Sequence, residues 1–462
     1  MDLSKYTQDI ISSLQKLIRI KTVLDTPVAG GPFGKGNKEC LEETLKICEN
    51  LGFKVKNLDG YCGYAEIGEG EELVGIIGHL DVVPEGEGWK YPPYSGIIVD
   101  GEMWGRGTWD DKGPVVISIY AIKALMDSGF KFNKRVRLIF GCNEESGSLC
   151  MEHYLKVDEP ISYGVSPDST FPVIFAEKTI NNIELSGKSS EKGNVKLLNL
   201  DAGIVINAVP DKCVFNLKCE CEHCKNDTKD KLHQYFLKQH LKYDLNENDL
   251  TLTYTVYGKA AHGSIPQEGI NAASFAIVGL KQIVQSDFVD FYEEMINTCV
   301  HGEKLGCFYE DEYGKIAVNV GLVHYENSEF NIKINSRLPF NVTSEEMVNS
   351  IQNKIKDYPV NINLLSSSNG FIMDKNSIMI QSLTNAYAEV SQDYISQPIC
   401  SAGGTYAREF KNCVAFGPEM KGYGEIIIHQ PNERIQIRAI EDIMKIYYKA
   451  YADLIEKVTF LK

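Results

Sequence analysis

The 462-residue sequence lacks any long hydrophobic run. A membrane-spanning helix needs about eighteen or more consecutive apolar residues, and no stretch of the chain provides them. The opening stretch, MDLSKYTQDIISSLQKLIRI, also lacks the basic start and unbroken apolar block of a signal peptide. Its apolar residues recur at helical spacing and predict an amphipathic first helix. We therefore expect a globular, cytoplasmic protein without a membrane partner.

Positive charge is also in short supply. The chain carries 47 lysines and arginines against 63 aspartates and glutamates, a formal net charge of −16. Binding to nucleic acid or to an anionic membrane surface requires clustered Lys and Arg to neutralise phosphates. The charge balance therefore argues against both kinds of partner.

Cysteine is plentiful, at thirteen residues, but lacks the spacing of a familiar metal site. Without a secretion signal, these cysteines predict free thiols in a reducing cytosol. The densest group lies in KCECEHCKND and comprises Cys219, Cys221, His223 and Cys224. These residues could in principle hold zinc, yet their spacing matches no paired zinc-finger pattern. A strand end with buried and exposed thiols is the favoured interpretation.

The length exceeds what one ordinary hydrophobic core supports, so two domains are expected. In the first third, apolar runs that end in polar residues alternate with helical stretches, which is typical of a mostly parallel sheet. From about residue 179, apolar and polar residues alternate as they do in β-strands. A turn-rich segment, SSSNG, lies at 366–370. We predict an α/β catalytic domain, with a mostly parallel central sheet flanked by helices, from residues 1–179 and 371–462. An inserted α+β domain would occupy 180–370.

Two helix boundaries are marked by local signals. Pro114 lies in the first turn after Asp111, and Gly129 follows the apolar face that this helix would bury. In the inserted domain, Thr343 and Glu346 match a capping box, in which each side chain satisfies a backbone N–H of the other residue. Both patterns predict that a helix begins at these points.

Histidines and carboxylates cluster where predicted strands end. In an open α/β sheet, ligands bind beyond the carboxyl ends of the strands, so separated stretches can converge there. Each residue alone is more often a turn-capping side chain, but together they form a mixed nitrogen and oxygen donor set that accepts zinc or manganese. The candidates are His79, Asp81, Asp110, Glu144, Glu145, Asp168 and His429.

The chemistry of these side chains suggests which would bind metal and which would transfer a proton. His79 would bind metal, while Asp81, on the same strand face, could accept its other ring proton. The two oxygens of Asp110 could bridge two metals about 3.5 to 4 Å apart. Glu144 and Glu145 point in different directions, so one can bind metal while the other takes a proton from water.

Eight ordered motifs resemble one known family across essentially the whole chain: GHLDVVPEGEGW, WGRGTWDDKGP, GCNEESGS, SPDSTFP, AAHGSIPQEGINA, NSRLPFNVT, SAGGTYAREF and IIIHQPNERI. The sequence is similar to the dinuclear-zinc peptidases and deacylases that include acetylornithine deacetylase, succinyl-diaminopimelate desuccinylase, aminoacylase and glutamate carboxypeptidase. It most resembles the PepV-like dipeptidase branch. The resemblance implies two divalent metal ions per chain, Zn²⁺ with Mn²⁺ as the alternative.

The resemblance also implies a role for each candidate residue. One metal would be held by His79, Asp110 and Asp168, and the other by Asp110, Glu145 and His429. Glu144 would be the general base and Asp81 the partner of His79. The peptide bond between Asp110 and Asp111 would be cis, and Asp111 is a candidate partner for the substrate's amine.

The inserted domain matches the lid of this family, which recognises substrate. His262 would stabilise the oxyanion with Asn207 beside it, and Arg337 would hold the substrate carboxylate. The loop that helps to grip this carboxylate would comprise Gly403, Gly404 and Thr405. The alternatives from the residues alone are a strand-to-loop turn at His262, a surface ion pair at Arg337 and a tight turn at Gly403.

The expected function is therefore that of a metal-dependent dipeptidase acting on small peptides. An N-acyl amino acid deacylase with the same metal site and a non-catalytic peptide-binding relative are the alternatives. Long-lid members of the family supply the lid histidine in cis. The insertion of roughly 190 residues is of this long kind, so the resemblance implies a monomer.

Overall fold

The computed structural model describes residues 2–460. The chain divides into two compact units, one formed by Met1–Glu177 with Phe371–Lys462, and the other by Lys178–Gly370. We call these the split unit and the inserted unit. Their assignment as catalytic domain and lid stays a prediction. Among the described residues, no helix is both long enough and apolar enough to cross a membrane.

The split unit contains helices and strands from both ends of the chain. Its helices are α1 (Thr7–Ile18), α2 (Lys35–Asn50), α3 (Lys112–Asp127), α4 (Leu149–Val157), α9 (Ile378–Ser391) and α10 (Ile437–Lys457). The strands before the insertion are β1 (Lys54–Leu58), β2 (Cys62–Ile67), β3 (Leu73–His79), β4 (Ile97–Val99), β5 (Glu102–Trp104), β6 (Arg135–Gly141), β7 (Tyr163–Ser166), β8 (Ser169–Thr170) and β9 (Ile174–Glu177). Those after it are β22 (Phe371–Ile372), β23 (Ile399–Ser401), β24 (Cys413–Ala415), β25 (Pro418–Glu419) and β26 (Arg434–Gln436).

The principal sheet of the split unit runs in the order β1-β2-β6-β3-β7-β24-β9-β22, with β23 beside β9. Strands β6, β3, β7 and β24 are parallel neighbours, while β2 and β22 pair antiparallel near the edges. Every residue of β3 is buried, which explains why its sequence, LVGIIGH, is almost entirely apolar. The predicted α/β class is confirmed, and the parallel centre aligns the carboxyl ends of four strands.

Helix α3 lies where the sequence predicts it. Its interior is buried over almost its whole length, and it contacts α1 and α10. Gly129, two residues beyond its end, has a φ of +77° that a glycine adopts without strain. The amphipathic first helix is also confirmed as α1, with Ile10, Leu14 and Leu17 buried on one face.

The inserted unit is built on an eight-stranded antiparallel sheet in the order β14-β15-β13-β12-β19-β20-β10-β21. Its strands are β10 (Thr179–Lys188), β11 (Glu191–Lys192), β12 (Val195–Ala202), β13 (Lys212–Cys219), β14 (Lys242–Asn248), β15 (Thr251–Tyr257), β16 (Gln285–Ser286), β17 (Glu310–Asp311), β18 (Gly314–Lys315), β19 (Ala317–Glu326), β20 (Glu329–Leu338) and β21 (Val360–Ser368). Its helices are α5 (Glu222–Lys238), α6 (Ala272–Leu280), α7 (Asp287–Met295) and α8 (Ser344–Ile355). The predicted capping box is confirmed: Thr343 N donates to Glu346 Oε2 at 2.8 Å, and Glu346 N donates to Thr343 Oγ1 at 3.2 Å.

Candidate metal centre

The candidate ligands of the split unit converge at the carboxyl ends of the parallel strands. His79 is the last residue of β3, Glu144 and Glu145 follow β6, and Asp168 follows β7. Asp110 lies just before α3, and His429 lies on the segment between β25 and β26. Strand ends, one helix start and the segment of His429 therefore bring six sequence-predicted residues into one cluster.

The carboxylate of Asp110 lies between the two histidines. Its Oδ1 is 2.9 Å from His79 Nε2, and its Oδ2 is 2.8 Å from His429 Nε2. Each oxygen therefore faces a different histidine. This is the arrangement that a carboxylate bridging two metal ions requires.

The remaining acids complete two groups of possible ligand atoms. Asp168 Oδ2 lies 3.7 Å from His79 Nε2, and Glu145 Oε2 lies 3.1 Å from His429 Nε2. In each group the ligand atoms lie within 4.8 Å of one another: one comprises His79, Glu144 and Asp168, the other His79, Asp110 and Glu145. Glu144 thus lies as close to His79 as the possible ligand Asp168 does, although the family resemblance implies that Glu144 is a base.

Asp81 contacts both His79 and the backbone of the two glutamates. His79 Nδ1 lies 3.0 Å from the backbone carbonyl of Asp81 and 3.5 Å from its carboxylate. The carboxylate accepts hydrogen bonds from the backbone N–H groups of Glu144 at 3.0 Å and Glu145 at 3.1 Å. Asp81 therefore fixes the two glutamates as well as the ring of His79.

Asp111 does not fit its suggested role as partner of the substrate's amine. The Asp110–Asp111 peptide bond is cis, as the family resemblance implies. The Asp111 side chain is fully buried, and its Oδ2 accepts a hydrogen bond from the backbone N–H of His79 at 3.1 Å. With this carboxylate fully buried and hydrogen-bonded to the backbone of β3, Asp111 supports the strand that carries His79 and is not exposed to meet a substrate's amine.

The donor set fits divalent cations. Glu145 Oε1 is buried and has no hydrogen-bond partner among the described residues, and buried His79 Nε2 lies 2.9 Å from Asp110 Oδ1 and 3.7 Å from Asp168 Oδ2. Burial, reinforced by repulsion from neighbouring carboxylates, raises the pKa of Glu144 well above its ordinary value. Burial likewise raises the pKa of Asp168 to about 6. A bound cation would neutralise the excess buried negative charge and would be coordinated by these nitrogen and oxygen atoms.

One buried residue missed by the sequence reasoning is Glu433, in the last motif. Its carboxylate accepts hydrogen bonds from Gly107 N at 3.0 Å and Trp109 N at 2.9 Å. It also pairs with Arg106, 2.8 Å away, and both side chains are at most 1% exposed. Glu433 therefore joins the segment of His429 to the segment of Asp110. Arg106 lies in the motif WGRGTWDD and Glu433 in HQPNER, but only the fold shows that the two side chains are in contact.

The second missed pair orders the predicted carboxylate-binding loop. Buried Glu177 accepts from Thr405 N at 3.2 Å and Thr405 Oγ1 at 2.8 Å, and from Arg408 Nε at 3.0 Å. Gly403 N donates to Ser401 Oγ at 2.9 Å. The N–H groups of Gly403 and Thr405 thus already have acceptors, in Ser401 and Glu177. Gly404 is left as the loop's backbone donor for which the described residues show no acceptor.

A small cleft of about 170 Å³ opens over the cluster within the split unit. Asp110 and Asp168 line it together with the Gly403–Thr405 loop and Glu419. Burial, followed by repulsion from Asp110 and Asp168, raises the pKa of Glu419 to about 7. All three charged residues of this lining are acidic, so Asp110 and Asp168 face a cleft that carries negative charge.

In the inserted unit, the segments of Asn207 and His262 lie side by side. Ala208 and His262 form an antiparallel bridge, and Gly263 N donates to Asn207 O at 2.7 Å. Ser264 N donates to His262 Nδ1 at 3.3 Å, and Ser264 Oγ lies 2.6 Å from the same nitrogen. Because Nδ1 accepts, the ring proton of the neutral imidazole lies on Nε2.

Arg337 is near the end of β20 and is 4% exposed. Its Nε donates to Asn335 Oδ1 at 3.0 Å. An arginine this deeply buried contradicts the alternative that it forms a surface ion pair. Its substrate contact stays a prediction.

Comparison with known proteins places the chain in a family. Residues 75–456 match the model described as Peptidase family M20/M25/M40. The chain belongs to this family. It is therefore a metallopeptidase, a hydrolase with peptide substrates.

Similar proteins agree with this placement. "Putative dipeptidase SH1171" of Staphylococcus haemolyticus is 32% identical over 97% of this chain and 98% of its own length. Human carnosine dipeptidase 1 has the same fold with a TM-score of 0.59 at 14% identity, covering 98% of this chain and 97% of that chain. The dipeptidase Dug1p of Saccharomyces cerevisiae gives a TM-score of 0.54 at 16% identity, with coverages of 98% and 97%. The fold prediction is confirmed at whole-chain level.

Proposed function

We propose that this metallopeptidase is a dipeptidase that hydrolyses short peptides carrying a free amine and a free carboxylate. The observation that carries the proposal is the position of Asp110, with one oxygen 2.9 Å from His79 and the other 2.8 Å from His429. The relatives at 32% identity that are named dipeptidases support the choice of substrate.

Two divalent cations would be held by the cluster, and zinc is the first choice, with manganese as the alternative. His79, Asp110 and Asp168 would bind one ion, and Asp110, Glu145 and His429 the other. Bound there, the cations supply Lewis acidity, which acidifies water and polarises a carbonyl group. The mixed donors suit both metals, so metal analysis of the purified protein decides between them.

Glu144 acts as the general base in this proposal. Its carboxylate takes a proton from the attacking water and passes it to the leaving amine. The hydrogen bonds from Glu144 N and Glu145 N to Asp81 keep the two adjacent side chains in separate positions. Burial raises the pKa of Glu144 in the metal-free chain, and bound cations would favour the ionised carboxylate that a general base needs.

His262 and Asn207 would stabilise the developing oxyanion. The hydrogen bond from Ser264 N to His262 Nδ1 selects the tautomer whose Nε2 carries the proton. That N–H is the donor which an oxyanion requires. The bridge between the two segments keeps Asn207 next to this histidine in the inserted unit.

The substrate carboxylate would be bound by Arg337 and by the loop of Gly403, Gly404 and Thr405. A guanidinium presents two parallel N–H donors to a carboxylate. Within the loop, the donor would be Gly404 N, because Glu177 and Ser401 accept from its neighbours. Thr405 would act by anchoring the loop.

The proposal is tested with the metal-loaded protein on matched substrates. Hydrolysis of a free dipeptide should exceed that of its N-acetylated form by at least about tenfold in kcat/KM, or ~1.4 kcal/mol. Preference for the acetylated substrate would indicate an N-acyl amino acid deacylase instead. Failure to hydrolyse either substrate, with metal present, would favour a non-catalytic peptide-binding protein.

We further propose a monomeric, cytoplasmic enzyme. The inserted unit carries both His262 and Arg337, so each chain would contain a full set of substrate-binding groups. Sedimentation at the concentrations used for assays should give a single species of 51.7 kDa. Activity that depends on mixing two inactive variants would show that subunits share a site.

A further inference from the structure

A pair of cysteines at the start of α5 has no part in the peptidase mechanism. Cys221 is the N-cap residue of this helix, and Cys224 N donates to its sulfur at 3.3 Å. The two sulfur atoms, Cys221 Sγ and Cys224 Sγ, lie 2.9 Å apart. The helix start therefore holds two thiols in direct contact, which residues three positions apart do not achieve in an extended chain.

The pair differs from the other cysteines in its exposure. Of the thirteen cysteines, all within the described residues, Cys221 alone is exposed, and Cys224 beside it is partly exposed. Cys299 and Cys400 are partly exposed as well, and the rest are buried. Cys221 is thus the thiol that an oxidant in solution meets first.

The two thiols are electrostatically unequal. The contact with the Cys224 thiol, and then the hydrogen bond from the Cys224 backbone N–H, lower the pKa of Cys221. The pKa of Cys224 is raised, chiefly by the same thiol contact. Thiolate is the reactive form of cysteine, and a helix N-terminus favours negative charge. The Cys221 thiol is therefore the more readily ionised of the two.

A metal site is not the better interpretation of this sequence cluster. Cys219, the third cysteine, is 1% exposed and its thiol hydrogen-bonds with Thr228. Among residues 2–460, the groups with three ligand atoms close enough for a metal do not include these cysteines or His223. Two thiols in contact, with the third turned into the core, suit disulfide formation.

We propose that Cys221 and Cys224 form a redox-active dithiol that exchanges with low-molecular-weight disulfides. The Cys221 thiolate attacks one sulfur of the small disulfide, forms a mixed disulfide and releases one thiolate. Cys224 then loses its proton to solvent and attacks Cys221 Sγ. The mixed bond breaks, the second small thiolate leaves, and an internal disulfide remains. The protein loses two electrons, and the small disulfide gains them.

The test uses the full chain, reduced, desalted and exposed to oxidised glutathione. After an acid quench and alkylation, peptide mass analysis should show a Cys221–Cys224 disulfide without retained glutathione. Cys224→Ser should trap glutathione on Cys221. Cys221→Ser should slow glutathione release at least about tenfold, because the low-pKa thiolate is lost. Cys299→Ser, which removes a different partly exposed thiol, should behave as the unaltered chain.

Two results would overturn the proposal. One is glutathione retained on Cys221 in the unaltered chain, which would show that Cys224 does not resolve the mixed disulfide. The other is equal reaction rates for Cys221→Ser and Cys299→Ser. Cys224→Ala serves as a second trapping variant, and circular dichroism establishes that each variant is folded. None of these readouts depends on the proposed peptidase function.

Discussion

Glu433 Oε1 accepts a hydrogen bond from the backbone N–H of Trp109 at 2.9 Å. Trp109 immediately precedes Asp110, and Glu433 follows His429 by four residues, so this bond links the segments of two candidate metal ligands. The same carboxylate neutralises buried Arg106. The cluster thus depends on a buried ion pair that contributes no metal ligand.

Glu433→Gln should destabilise the protein because it leaves the buried Arg106 charge unpaired. Loss of one partner of a buried pair costs about 3–5 kcal/mol. Glu102→Gln is the matched control, since its pair with Arg434 is about one quarter exposed and worth about 1 kcal/mol or less. Denaturant unfolding of the metal-free proteins measures both values. Equal losses in the two variants would contradict the role given to Glu433.

The stabilisation by metal should increase with pH. Burial raises the pKa of Asp168 to about 6, above the value of about 3.9 for an unfolded aspartate. Between these values the folded chain binds more protons than the unfolded chain, so the free energy of unfolding of the metal-free protein falls as pH rises. A cation needs the ionised carboxylate and offsets this loss.

Thermal unfolding with and without Mn²⁺ checks this expectation. The metal-induced rise in Tm should be larger at about pH 7.5 than at about pH 5, because protons compete with the cation at the lower pH. Asp168→Asn should reduce the difference between the metal-induced rises in Tm at the two pH values. A rise in Tm that is the same at both pH values would argue against carboxylate ligation.

His262→Ala should lower kcat by about 10²–10³ with little change in KM, because an oxyanion donor acts chiefly in the transition state. His324→Ala is the control in the same unit. That histidine is exposed, and its Nδ1 lies 2.6 Å from Asp201 Oδ1. Steady-state kinetics of both variants on one dipeptide measure kcat and KM separately and so distinguish transition-state stabilisation from substrate binding. A loss expressed only in KM would assign His262 to ground-state binding.

Arg337→Lys should raise KM for a free dipeptide, because an ammonium group lacks the paired donors of a guanidinium. We expect kcat/KM to fall by at least about tenfold, or ~1.4 kcal/mol. A dipeptide amide, which has no carboxylate, should show a much smaller difference between the two proteins. An equal loss on both substrates would mean that Arg337 does not contact the carboxylate.

Sequence patterns predicted the features that depend on local or repeated signals. Runs of apolar residues predicted the strands that end at His79 and before Asp168. The capping box of Thr343 predicted the start of its helix. Glu433 and Glu177 could not be predicted, because their partners lie hundreds of residues away and no periodicity connects them. Such bonds follow only from the topology of the sheet.

The suggested role of Asp111 failed for a related reason. An aspartate next to a metal ligand resembles a substrate contact in the sequence. In the fold, the chain direction after Asp110 turns the Asp111 carboxylate towards the backbone N–H of His79. The residue type alone did not reveal that this carboxylate is buried against the backbone of β3.

The central claim is tested most directly by Glu144→Gln in the metal-loaded protein. The amide preserves the size of the side chain but cannot take a proton from water. Hydrolysis of a free dipeptide should fall by about 10²–10⁴, while the metal content measured by elemental analysis stays that of the unaltered chain. Unchanged hydrolysis with full metal occupancy would contradict the assignment of Glu144 as the general base.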